Sequence, residues 1–225
     1  MLRKMKEKDI PFVVELHSGY IPGALFPKLG NKFMHALYHT MIDMDCAVNY
    51  VWEIEVEDCR RDVPVPINEG RKSGAPKHRG EDKESEARTV AFITATTDSS
   101  VLFRQVLIKN FPLFVWRTFL YLMGNPLRIR EVWETVTYSK LAKVPDVTAE
   151  LLFIAIDKNF RKKSISDDLV NKCLQWAKEK GHNKIKVTTY TTNHGANTLL
   201  ERLGFKCARK EPFRDKEINL YVHNL

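Results

Sequence analysis

The chain has 225 residues, 44% hydrophobic and 28% charged, enough to bury one sizeable core and too apolar for overall disorder. A formal net charge of +8 and a pI near 9.3 favour an anionic partner: nucleic acid, an acidic membrane surface or a phosphorylated small molecule. The four cysteines, Cys46, Cys59, Cys173 and Cys207, form no C-x-x-C pair, which argues against a zinc site or disulfide framework and for a reducing, cytoplasmic setting; Met1 to Lys8 leads into no apolar h-region, so no signal peptide is expected.

Residues 2 to 5 read as a short strand. Asp9-Ile10-Pro11 supplies an N-cap and a proline in the first turn, predicting a helix to about Leu16 that breaks at His17-Ser18-Gly19-Tyr20. After Gly30 a second helix places Phe33, Leu37, Tyr38 and Met41 on one face. "AVNYVWEIEV", residues 47 to 56, alternates as a strand. From about Glu57 to Arg88 the pattern dissolves into Pro, Gly, Lys, Arg and Glu. This polar stretch predicts a flexible surface insertion between two early strands of a single domain, because it lacks apolar residues to offset ordering entropy. "TVAFITAT", residues 89 to 96, resumes as a strand.

Residues 101 to 127 are rich in Leu and Phe yet carry Arg104, Lys109 and Arg117, a poor composition for spanning a bilayer. They suit two amphipathic helical pieces divided near Pro112, within an inserted helical segment over 101 to 140. The segment is expected to pack as a layer over the sheet edge, with a peripheral membrane or partner contact as the alternative. Downstream come the apolar central strand "AELLFIAI" (149 to 156), the strand "NKIKVTTYTT" (183 to 192), the helix "HGANTLLERLG" stopped by Gly204, and a final alternating strand "EINLYVHNL".

The informative join follows that central strand. In "FIAIDKNFRKKSISDDLVNKCLQWAKEKG" an apolar run stops at Asp157, a basic turn follows, and a helical pattern runs from near Ser164 to Gly181. The first N–H groups of such a helix are unpaired and its dipole favours negative charge, so with Arg161, Lys162 and Lys163 the turn suits a pyrophosphate. Neither G-x-x-x-x-G-K-[ST] nor G-x-G-x-x-G is present, which excludes the common triphosphate and dinucleotide loops.

"NFRKKSISDDLV" resembles motif A of the GNAT superfamily of N-acetyltransferases, a strand followed by Arg/Gln-x-x-Gly-x-Gly/Ala at a helix start, aligned here on Arg161 to Ser166. "TNHGANTLLERLGF" is similar to the family's later N-x-x-A/G-x-x-x-Y-x-x-x-G-F segment, with Asn193, Asn197 and Leu203-Gly204-Phe205 in place. "LFPKLGNKFMHALYHTMI" and the Leu/Phe-rich segment look like a bacterial branch with undefined acceptors. The resemblance implies an α/β fold, a mixed twisted central sheet flanked by helices. It also implies acetyl-CoA as acetyl donor, no metal, and direct attack by a neutral amine on the thioester.

On that resemblance the thioester arm lies along Ile154, Ala155 and Ile156. The pyrophosphate meets N–H groups of Arg161, Lys162, Lys163, Ser164, Ile165 and Ser166, with Asn193 and Asn197 completing the cofactor side. Two departures stand out: serines 164 and 166 replace the motif glycines, and Leu200 occupies the position of the tyrosine that protonates the leaving thiol. Tyr190 and His194 are the candidate substitute acids and Glu150 the candidate relay for the amine's proton. His17 and Tyr20 are expected to line the acceptor pocket. The acceptor is expected to be a small primary amine, an amino sugar or metabolite, with no nucleic acid; the alternative function is a catalytically degenerate acyl-CoA-binding module, membrane- or partner-associated.

Overall fold

The computed structural model describes residues 1–21, 24–55, 87–141, 143–161 and 163–225. Seven strands form one sheet in the order β1-β2-β3-β4-β5-β7-β6: β1 Leu2–Lys4, β2 Ala47–Glu55, β3 Ala87–Thr96, β4 Glu150–Ile156, β5 Lys184–Tyr190, β6 Lys206–Phe213 and β7 Lys216–Asn224. Every neighbouring pair is antiparallel except β4–β5. The central β3 is buried from Thr89 to Thr96 on both faces, which is why its sequence is nearly all apolar or Thr.

Helices cover both faces. On one, α7 (Lys163–Glu179) sets Ile165, Leu169, Cys173 and Trp176 against Ala91, Ile93 and Leu151. On the other, α1 (Ile10–Tyr20), α3 (Asn31–Ile42) and α4 (Ser99–Lys109) bury Val13, Val14, Leu37, Tyr38, Leu102 and Val106 against Val51 and Phe92. A third cluster, apart from the sheet, joins α2 (Leu25–Lys28), Leu29 and Phe33 to α5 (Phe111–Met123) and α6 (Ile129–Leu141). The remaining helix, α8 (His194–Arg202), precedes Gly204, whose φ of 84° ends the turn into β6.

Several expectations need correction. The first helix does not break at His17 but runs one more turn to Tyr20. Gly19 is simply tolerated there. Asp9 stands at the N-cap position without capping: its carboxylate accepts from Arg3 at 2.6 and 2.8 Å, the Lys6 N–H at 2.8 Å and Thr89 Oγ1 at 3.2 Å. Arg3 also reaches Glu53 at 2.6 Å, tying β1, β2, β3 and the start of α1 together. The helical segment after Ser99 divides at Asn110, with Pro112 in the first turn of α5, and the two helices meet at 88°. α4 packs on the core, but α5 lies on α2 and α3 rather than over a sheet edge, and α6 adds a third helix. The expected insertion at 57–88 lies outside the described residues except Ala87 and Arg88, which already belong to β3. The short α2 and the edge strand β6 were not anticipated.

Candidate active site

The parallel ladder between β4 and β5 holds two residue pairs, Glu150 with Lys186 and Leu151 with Val187. On its other side β4 stays paired with β3 as far as Ile156, with a bulge that leaves Leu152 between the partners of Thr94 and Ala95. A bulge increases local twist, and here it coincides with the point where β4 and β5 part. From Leu152 to Ile156 the N–H and C=O groups on the β5 side of β4 therefore have no ladder partner, an open backbone edge inside the sheet. Leu151, Ile154 and Ile156 face the α7 side, whereas Phe153 and Ala155 face α1.

That edge leads into the basic turn. Asp157 accepts from the Asn159 N–H at 3.0 Å and shapes a single turn of 3-10 helix over Lys158–Phe160. Exposed Arg161 follows, its Nε 3.4 Å from the Ile156 carbonyl oxygen and its guanidinium 5.2 Å from the centre of the Tyr20 ring. Tyr20 Oη also accepts the Lys158 N–H at 3.0 Å. Thus Tyr20, expected at the acceptor pocket, braces the turn. Lys162 lies outside the described residues. α7 then begins at Lys163, with Ser164 exposed and Ile165 anchored in the core. Ser166 Oγ lies 3.2 Å from Asp167, whose carboxylate is held by a bidentate pair to Arg202 of α8 at 2.6 Å each. The Arg202 charge therefore offsets the carboxylate nearest the helix start.

Glu150 and Lys186 close the wedge at its narrow end, both almost fully buried, with Nζ 3.6 Å from Oε2. Lys186 was missed because "KIKVTTY" puts it at a position that alternation assigns to solvent. Tyr190, at the far end of β5, sits under Lys216 Nζ at 5.3 Å. Burial, reinforced by Glu131 and Glu134 and opposed by Arg214, raises its phenol above the ordinary value, so it stays protonated and can donate.

The second motif is mostly architectural. Asn193 caps α8 by accepting the Ala196 N–H at 3.3 Å. Asn197 is buried; its amide donates to the Tyr190 and Thr191 carbonyls at 3.1 Å each and accepts from Asn219 at 3.1 Å. Its hydrogen-bonding groups are engaged inside the protein, fixing the end of β5 to α8 and β7. His194 is exposed at the start of α8. Leu200 is buried in the core under α8, so no proton donor stands at that position.

His17, expected at the acceptor pocket, lines neither of the two cavities below. Because α1 continues, His17 extends the stripe of Val13 and Val14 and is fully buried, its Nδ1 2.6 Å from Tyr38 Oη and its ring against Phe92 and Phe153. Burial lowers its pKa to about 4, leaving it neutral. Two of the open cavities are formed by described residues. One, of about 330 Å³, lies between α2, α6 and the β6–β7 turn, where Glu131 gathers Lys28 at 2.6 Å, Tyr121 Oη at 2.6 Å and Arg214 at 3.0 Å. The other, of about 300 Å³, lies beside Tyr20, Asp157 and Lys158.

Residues 128–205 match the sequence model of the Acetyltransferase (GNAT) family. No curated protein matches the chain by sequence. Solved structures share its fold end to end. Arabidopsis thaliana NAA60 in complex with acetyl-CoA is 13% identical with a TM-score of 0.55, covering 100% of this chain and 98% of its own. A ribosomal-protein-alanine N-acetyltransferase from Brucella melitensis is 10% identical at 0.55, covering 100% and 99%. A spermidine N-acetyltransferase chimera from Vibrio cholerae and hSSAT is 13% identical at 0.53, covering 100% and 95%. The sequence pattern of the Acetyltransferase (GNAT) family over residues 128–205 thus lies within a fold shared along the whole chain with these solved structures.

Proposed function

We propose that the chain binds acetyl-CoA and acetylates a small primary amine, an amino sugar or metabolite, in a ternary complex. The open edge of β4 carries this reading, because an extended amide-bearing arm can pair with it as a missing strand would, and the edge runs straight into the basic turn. The protein groups fit such a ligand: exposed Arg161 and the first N–H groups of α7 for its phosphates, and apolar Ile154 and Ile156 beside the arm. Bound there, acetyl-CoA supplies a thioester carbon for the amine nitrogen to attack, the C–S bond breaking as the C–N bond forms. The chain's work is then placement of the amine, removal of its proton and stabilisation of the departing thiolate. Glu150, at the point where the strands part, is the proposed proton relay. Protonated Tyr190 is the proposed donor on the β5 side. The cavity of about 330 Å³ has the size of a small-molecule site and includes Glu131, Glu134 and Arg214, whose charges act on Tyr190.

The spermidine and ribosomal-protein-alanine N-acetyltransferases of similar fold are named for different acceptors, so the test uses a panel of amino sugars, polyamines and peptides with free N-termini, with release of CoA thiol as the readout. Turnover confined to small amines is the expected result. Turnover confined to peptides would overturn the small-molecule assignment. Tight CoA binding with no turnover on any amine would favour the alternative that Leu200 suggests, an acyl-CoA-binding module that has lost catalysis.

A further inference from the structure

α5 is built inside out. Its stripe of Phe111, Val115, Trp116, Phe119, Leu120 and Met123, spaced as one helical face, is exposed, with Trp116 at 57% and Met123 at 69%. The opposite side is also apolar where it meets the third core cluster, through Leu113, Phe114, Tyr121 and Leu122. The helix's polar side chains are on that inner side too: Arg117 and Thr118 are partly buried, and Arg117 lies against Gly30. A surface helix of a soluble protein shows the reverse arrangement. Further exposed apolar residues follow in sequence, Leu127, Ile129 and Trp133, at 83%, 57% and 69% exposure. Scattered exposed apolar residues need no explanation, but a continuous stripe marks an interaction surface.

We infer that this face docks on an anionic lipid surface, with α5 lying in the headgroup boundary rather than crossing the bilayer. Charge selects this occupant. From Ser99 to Arg130 the sequence holds no Asp or Glu, while Arg104, Lys109 and Arg128 are exposed, as is Arg130, which pairs with Glu134 at 2.8 Å. A second copy of the chain, paired face to face, would oppose these cations with its own. Anionic headgroups would instead meet them as the apolar side chains enter the acyl boundary. The two outward tryptophans, Trp116 and Trp133, suit that boundary. α5 alone is too short to span: its 13 residues reach about 20 Å, short of the roughly 30 Å hydrocarbon core. No single described helix is long and apolar enough to cross, and the 88° bend turns α4 away from α5.

The test is flotation of the full chain with vesicles of phosphatidylcholine, with and without phosphatidylglycerol, at low and high salt. Binding to the anionic vesicles that weakens with salt is expected. Trp116→Glu with Phe119→Glu should reduce it by more than about tenfold, since two carboxylates would have to enter the boundary. Lys109→Glu and Arg128→Glu, at opposite ends of the stripe, should each cost about fivefold on anionic vesicles and little on neutral ones. They provide a second measurement should the first variant fold poorly. The inference is overturned if the wild type stays unbound, if both sets of variants bind as it does, or if light scattering finds a dimer that Trp116→Glu dissociates while no vesicle binds.

Discussion

Glu150→Gln tests structure and mechanism together, because the carboxylate is also half of a buried ion pair. Removing its charge leaves Lys186, 4% exposed, without this counter-charge. Breaking a buried pair by deleting one partner costs about 3–5 kcal/mol. The 3.6 Å separation is wider than the 2.7–2.9 Å of a charge-assisted hydrogen bond, which places the expectation at the low end, about 3 kcal/mol. Urea denaturation of the wild type, Glu150→Gln, Lys186→Met and the double variant would measure it. The double variant should lose clearly less than the sum of the singles, with a coupling of about 1–3 kcal/mol. Coupling below about 0.5 kcal/mol would refute the view that the two charges support each other. The double variant then isolates chemistry from stability: if Glu150 relays the amine's proton, kcat/KM should fall most at pH values where the amine is largely protonated. Full activity across the pH range would reduce Glu150 to a structural role.

His17 predicts a pH dependence. With its pKa at about 4 in the fold against about 6.5 unfolded, the unfolded chain takes up the proton first as pH falls. Stability should be undiminished by this group above pH 6.5 and decline between 6.5 and 4 by up to about 3 kcal/mol; urea unfolding of His17→Phe should show a flatter profile in that window, and an equal slope would place the proton uptake elsewhere. Arg161→Ala should weaken CoA binding about tenfold by calorimetry, and Ser164→Asp more, by setting a carboxylate against the phosphates; wild-type affinity in both would move the pyrophosphate away from this turn. Leu200→Tyr should cost about 1–3 kcal/mol through overpacking and leave the rate within about tenfold, because a thiolate near pKa 8.5 leaves without an acid; a gain of 100-fold or more would show that protonation limits turnover.

What could be read from the sequence follows from how strongly burial marks it. β2, β3, β4 and β7 carry alternating or continuous apolar runs and were legible as strands. β6 was not, because this edge strand is exposed along nearly its whole length, and its Lys, Arg and Glu carry no alternation while protecting the edge from pairing. α5 was legible as a helix but its orientation was not. Apolar residues occupy both of its sides, so the 3.6-residue period does not distinguish inside from outside, and only the packing of Leu113 and Phe114 decides. His17 was misplaced for a related reason: Ser18 and Gly19 suggested a break, whereas Val13, Val14 and His17 are one continuous buried face.

The serines at 164 and 166 show that a departure from a family pattern need not strain the backbone. Glycine is required where φ is positive or where a backbone must approach closely. Among the described residues the positive-φ glycines are Gly30, Gly181 and Gly204, and the positive-φ residues other than glycine are Asp146 and Arg214. Ser164 and Ser166 therefore adopt backbone conformations open to any residue, inside a helix that starts at Lys163. What the substitution changes is space and polarity at the turn. Ser166 points its hydroxyl at Asp167, and Arg202, from the second motif, holds that carboxylate. The two motifs thus act on one another: α8 supplies the charge that offsets Asp167, just past the first turn of α7, which would otherwise oppose a phosphate there.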